Sequence, residues 1–120
     1  MSTQATKAPL LGTIIPGFEQ RVNRSMRYAE SHPKASFADL ERKARQLSRD
    51  CFAAVLEAEV EMRRQAAEEE PHCSCGRLMT YKGSQVRQLE TFVGRITIRR
   101  GYYYCRVCRK GRYPLDEALD

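Results

Sequence analysis

His72-Cys73-Ser74-Cys75-Gly76 and Cys105-Arg106-Val107-Cys108 are two short thiol clusters about thirty residues apart, and how they are read decides the fold. A tetrahedral zinc ion needs four ligands converging from two directions. Each cluster sets neighbouring thiolates on a tight turn, and a hairpin between them would bring the turns together. Cys105 and Cys108 form a regular C-x-x-C half-site. The first half-site is less regular, because one residue separates Cys73 from Cys75 while His72 lies two residues clear of Cys75. Two ligand sets therefore stand: Cys73, Cys75, Cys105 and Cys108, or His72, Cys75, Cys105 and Cys108. The four-thiolate set is preferred, since zinc ribbons of this spacing are mostly cysteine-rich. A redox pair is the competing reading, but a redox C-x-x-C belongs in a βαβ setting that this sequence lacks. Zinc would supply much of the folding energy of so small a unit, on the order of 10 kcal/mol.

Between the clusters the apolar period is two, which predicts antiparallel strands. Leu78 to Tyr81 and Ser84 to Phe92 are expected as separate strands, with the turn at Gly94. Ile96 and Ile98 should face inward and Arg95, Thr97 and Arg99 outward. Gly101 is expected at a bulge, and Gly111 at the left-handed turn after the second cysteine pair.

Upstream the period is helical. Ser36-Phe-Ala-Asp39 fits a capping box. Leu40, Ala44, Leu47, Cys51, Ala54, Ala58 and Met62 follow at steps of three and four up to Pro71. At 1.5 Å per residue this is a rod of roughly 50 Å. Its narrow, alanine-rich stripe should pack against another helix, either 16–31 folded back or the same 36–70 helix of a second chain. Phe18, Val22, Met26 and Ala29 mark the earlier helix, with Pro16 in its first turn and Pro33 after its end. Residues 1–15 are expected to be a flexible arm. The chain thus divides into that arm, a helical hairpin or coiled-coil segment over 16–70, and a zinc ribbon with a short tail over 71–120. The fold class is α+β.

The 120 residues carry 21 Lys and Arg against 15 Asp and Glu, a net charge of +6. Residues 36–70 are net −3, whereas 71–120 hold ten bases and four acids. Those bases are Arg77, Lys82, Arg87, Arg95, Arg99, Arg100, Arg106, Arg109, Lys110 and Arg112. Two or three could offset a doubly negative zinc–thiolate centre. Ten, with tyrosines interleaved, suit phosphate contacts and base stacking, so nucleic acid is the expected partner. No apolar run is long enough to span a membrane, and Leu10 to Ile15 is too short for a signal-peptide core. The reducing cytoplasm is the expected compartment, where cysteines read as ligands before disulfides. Cys51 reads as a core thiol and His32 as a surface residue. No catalytic set is visible: the acids of 36–70 form a solvated helix face, and Asp116, Glu117 and Asp120 have no partner in sequence.

The order Cys73-x-Cys-Gly, then Leu89-Glu-Thr-Phe-Val-Gly-Arg-Ile-Thr-Ile-Arg-Arg100, then Tyr102-Tyr-Tyr-Cys-x-x-Cys-x-x-Gly111, then Pro114-Leu-Asp-Glu-Ala-Leu119, resembles the amino-terminal region of the ISKra family of insertion-sequence transposases. The resemblance spans roughly residues 36 to 119. It implies a zinc-ribbon segment that binds DNA at a transposon end, standing ahead of a DDE-type catalytic domain. It places Cys73, Cys75, Cys105 and Cys108 at the metal positions. Tyr103 and Tyr104 match the aromatic pair before the third cysteine, and Pro114, Leu115 and Asp116 match the segment leading toward the catalytic part. No catalytic acid can be transferred, so the chain is expected not to be an enzyme itself and to represent a truncated or split transposase frame, or a retained amino-terminal fragment. The rival reading is a protein–protein adaptor without nucleic-acid binding. An enzyme using a metal-bound water is disfavoured, because four thiolates leave no open position.

Overall fold

A computed structural model describes residues 2–120, with side chains from Gly12 onward. Two long helices, α1 (Ser2–Ser31) and α2 (Phe37–Ala67), precede strands β1 (Thr80–Thr91), β2 (Gly94–Cys105) and β3 (Lys110–Arg112), and a short helix α3 (Pro114–Leu119) follows. The strands form one antiparallel sheet in the order β1-β2-β3. The α+β expectation is thus met.

The capping box at the start of α2 forms as the sequence suggests. Asp39 N–H donates to Ser36 Oγ at 3.1 Å, and Ser36 N–H donates to Asp39 Oδ2 at 3.2 Å. These bonds satisfy donors that the first helical turn leaves open. The α1 helix departs from expectation. It runs from Ser2, so residues 2–15 of the expected arm form its first half and Pro16 lies inside it. An interior proline removes one backbone bond and costs about 3 kcal/mol. Packing against α2 overrides that local signal: Ile14 and Gly17 face Ala54 and Ala58 across the groove between the helices.

The core crosses the boundary between helices and ribbon. Val60 of α2, Ile96 and Ile98 of β2 and Leu115 of α3 form one buried cluster, with Ala53, Leu56 and Leu89 packed on it. Leu115 is fully buried, so the expected tail is a structural helix closing the core. Arg63 of α2 donates to the Ala118 carbonyl at 3.3 Å. Asp116 pairs with Arg100, and Glu117 lies 3.6 Å from Arg112. Two of the three acids that looked unpartnered in sequence find bases on the strands, Asp116 on β2 and Glu117 on β3.

The predicted strands Leu78–Tyr81 and Ser84–Phe92 largely merge into one, β1. Gly83 adopts φ 125° at the irregularity between Tyr81 and Gly83, and pairing continues beyond it. That position, and not Gly101, carries the bulge. Gly101 is small because α2 approaches it. A Cβ there would lie 2.5 Å from Glu68 Oε1. The Gly101 N–H donates to Glu68 Oε2 at 2.7 Å, and the Thr97 N–H donates to Glu57 Oε2 at 2.7 Å. Beyond β3, then, α2 lies along the open edge of β2 and caps its donors with carboxylates. A covered edge cannot recruit a further strand.

Candidate metal centre

Two knuckles at the open end of the hairpin, one leading into β1 and one following β2, carry the four cysteines. In the first, Cys73 N–H donates to the Arg77 carbonyl and Gly76 N–H to the Cys73 carbonyl, both at 2.8 Å. Gly76 closes that turn at φ 89°, which a glycine adopts freely. Met79 N–H donates to the Pro71 carbonyl at 2.9 Å and ties the knuckle's ends together. In the second, Arg109 N–H donates to the Cys105 carbonyl at 2.8 Å and Arg109 itself takes φ 56°. The left-handed turn expected at Gly111 therefore falls on Arg109. Gly111 instead pairs with Tyr104, and its missing side chain leaves room for the Tyr102 ring.

The Sγ atoms of Cys73, Cys75, Cys105 and Cys108 lie within 4.8 Å of one another. Zinc–sulfur bonds of about 2.3 Å in a tetrahedron place sulfurs about 3.8 Å apart. Cys75 and Cys105 already stand at 3.7 Å. The Cys108 N–H points at the Cys105 sulfur at 3.5 Å, as backbone donors to metal-bound thiolates do. Cys73 and Cys105 are buried, Cys108 is half-buried and Cys75 reaches solvent. The donor set fits a four-coordinate thiolate metal site. His72 does not join it: its ring is exposed and Nδ1 lies 2.8 Å from the Glu70 carbonyl. The ligand set with His72 in place of Cys73 is therefore not the one this fold gathers. Cys51, 6% exposed on α2, is a core thiol as expected.

Crowding the thiols perturbs their ionisation. The backbone N–H of Cys75 is the main cause that brings Cys73 down to about 6; burial opposes it, and the neighbouring thiols add to it. Cys108 is pushed up to about 12, first by Cys75 and then by Cys73 beside it. Cys73 offers a thiolate above about pH 6 and loses it below, while Cys108 must give up a proton when metal binds. Affinity should therefore rise with pH through the neutral range, and loaded metal should escape on acidification as protons compete for the thiolates. A chromophoric chelator followed across an acid titration checks this; metal held unchanged down to about pH 4 would contradict it.

The register splits the predicted basic face. Arg95 and Arg99 pair with Glu90 and Val86, whereas Arg87 pairs with Ile98 and Arg100 with Gln85. Directly paired residues share a face, so Arg87 and Arg100 lie on the opposite side from Arg95 and Arg99. Arg100 is half-buried, bonded to Asp116 and stacked 3.9 Å over the Tyr113 ring. Arg112 donates to the His72 carbonyl at 2.7 Å and so braces the first knuckle. These two arginines are structural. Arg95 sits 2.9 Å from Glu90, and Arg99 bonds Ser84 at 3.4 Å. What remains is Arg87 on the sheet and a group at the metal end, Arg77, Lys82, Arg106, Arg109 and Lys110; all six are exposed, and among the described residues none of them forms an ion pair.

Glu68 was missed by sequence reasoning. It sits in Glu68-Glu69-Glu70, a run that reads as solvated, yet its side chain is 6% exposed. It accepts from Gly101 N–H, from Tyr103 Oη at 3.3 Å and from Arg64 at 3.1 Å, which anchors the end of α2 beside the metal knuckles. Fold and site together define a four-cysteine ribbon mounted on a helical hairpin. No protein family, curated protein or solved structure matches the chain. Among the described residues, no helix is long and apolar enough to cross a membrane.

Proposed function

We propose that this chain is a zinc-ribbon module that binds duplex DNA, as the DNA-contacting segment of a transposase of the kind its sequence resembles. Zinc is the metal that a tetrahedral four-thiolate set favours, and four thiolates complete its coordination, so its role is to hold the ribbon. Reduced thiols fit a cytoplasmic protein. The supporting observation is the group of five exposed, unpaired cations around the two knuckles. Arg77 follows the first cysteine pair, Arg106 and Arg109 flank Cys108, and Lys110 pairs with Cys105. Positive side chains on a rigid, metal-clamped end suit backbone phosphates.

Replacing Arg106 and Arg109 with Ala should weaken binding at every DNA sequence by roughly tenfold, and should lower the salt slope by about one unit for each phosphate no longer neutralised. Arg95→Ala should do much less, because Glu90 already neutralises that arginine. Fluorescence anisotropy over a salt series measures all three proteins. No binding by the parent at about 50 mM salt, or equal slopes for parent and double variant, would overturn the proposal and favour the adaptor reading.

A further inference from the structure

The helical hairpin has two unlike sides. On one, the groove between α1 and α2 has a floor of small and apolar residues such as Gly17, Ala54 and Ala58, flanked by Gln20 and Arg24 of α1 and by Gln46 and Asp50 of α2. At 100° per residue, Met26 points roughly 120–160° away from Gln20 and Arg24. Phe52 and Val55 point a similar angle or more away from Gln46 and Asp50. The apolar stripes of the two helices therefore emerge together on the side opposite the groove. They are open: Phe18 is 49% exposed, Met26 59%, Phe52 59% and Val55 43%. Among the described residues of α1 none is buried, and α2 buries only Cys51 and Val60. Packing against α2 thus covers α1 only in part, and helical stability in proteins comes from a packed apolar face, so the exposed stripe has more to bury.

We infer that a second copy of this chain covers this face, the two hairpins packing as layers of a four-helix bundle. The dimensions fit. From Leu40 to Val55 the stripe runs about 23 Å, and two helices side by side are about 20 Å wide. That is about 450 Å² in projection, and the relief of the exposed Phe18, Met26, Phe52 and Val55 side chains raises it toward the low end of specific interfaces, about 600 Å² per partner. The shape fits, because a flat two-helix layer is complementary to an identical layer through a two-fold axis. Charge fits as well: residues 12–70 hold eleven acids and ten bases, so two such hairpins meet without net repulsion. The ribbon, with ten bases against four acids over 71–120, could not face itself in this way.

Sedimentation equilibrium on the zinc-loaded full chain tests this. The expected mass is twice the 13.8 kDa of one chain. Phe52→Glu combined with Val55→Glu should weaken association at least about a hundredfold and yield monomer, with helix content unchanged by circular dichroism. Gln46→Glu, on the groove side, should leave the dimer intact. A single-chain mass at every concentration up to about 100 µM would overturn the inference and leave the face to a different protein. So would a dimer that survives the double substitution. Should that variant lose helix, Met26→Lys reads the same face from α1, and a dimer indifferent to it is equally decisive. None of these outcomes depends on whether the ribbon binds DNA.

Discussion

Cys105→Ser should strip the metal from the protein and melt the metal end of the ribbon while leaving α1 and α2 helical. Cys105 is 2% exposed, its sulfur stands 3.7 Å from that of Cys75, and the Cys108 amide points at it. A structural zinc ion contributes on the order of 10 kcal/mol, comparable with the whole stability of a small domain. Losing one of four thiolates forfeits most of that. The damage should be graded along the sheet. The knuckles and β3 are held by little besides the metal, because their buried cluster is only Cys73, Met79 and Cys105. The far end of the hairpin packs Ile96 and Ile98 against Val60 and Leu115 and has its own core. Amide hydrogen exchange should therefore rise steeply over residues 71–83 and 101–112 and much less over 94–99. By contrast His72→Ala should leave one zinc per chain, since that imidazole is bonded to the Glu70 carbonyl and lies outside the cluster. Elemental analysis decides both: zinc retained by Cys105→Ser, or lost by His72→Ala, would refute the four-thiolate centre.

What the sequence made legible was whatever depends on neighbours. The capping box at Ser36 uses atoms three residues apart. The inward Ile96 and Ile98 follow from strand alternation alone, and both are buried. The cysteine spacing needs only two turns and a hairpin. What stayed hidden depends on partners far along the chain. No local rule shows that Arg87 and Arg95 emerge on opposite faces, because that is fixed by the register of β1 against β2. Asp116 looked solitary because Arg100, its partner, lies sixteen residues earlier on a strand. Pro16 looked like a helix start because the α2 surface that keeps α1 helical through it is some forty residues away. Arg109, not a glycine, takes the left-handed turn at φ 56°, a case where the metal knuckle imposes a conformation its residue does not favour.

Gly101→Ala should destabilise the protein by about 2–3 kcal/mol, a large effect for one methyl group. The added Cβ would lie 2.5 Å from Glu68 Oε1 and 2.9 Å from the Glu68 carboxyl carbon. Glu68 cannot move aside without loss. It is the acceptor for the Gly101 N–H at 2.7 Å and for the Tyr103 hydroxyl, and the ion-pair partner of Arg64. Displacing it leaves the buried Gly101 N–H unpaired, which alone costs about 1–3 kcal/mol. Two explanations for the glycine predict different double mutants. If close approach of Glu68 is the reason, Gly101→Ala should cost much less in a Glu68→Ala background. There the new methyl meets chiefly Tyr103 Cε1 at 2.9 Å, and that ring can tilt. The coupling between the two changes should then exceed about 1 kcal/mol. If backbone freedom at a bulge were the reason, alanine would cost the same in both backgrounds. The φ of Gly101 is not positive, and its pairing with Ser84 is regular, which favours close approach. Urea unfolding of the four proteins of this cycle, all zinc-loaded, measures the coupling, and a value near zero would return Gly101 to the role of a bulge.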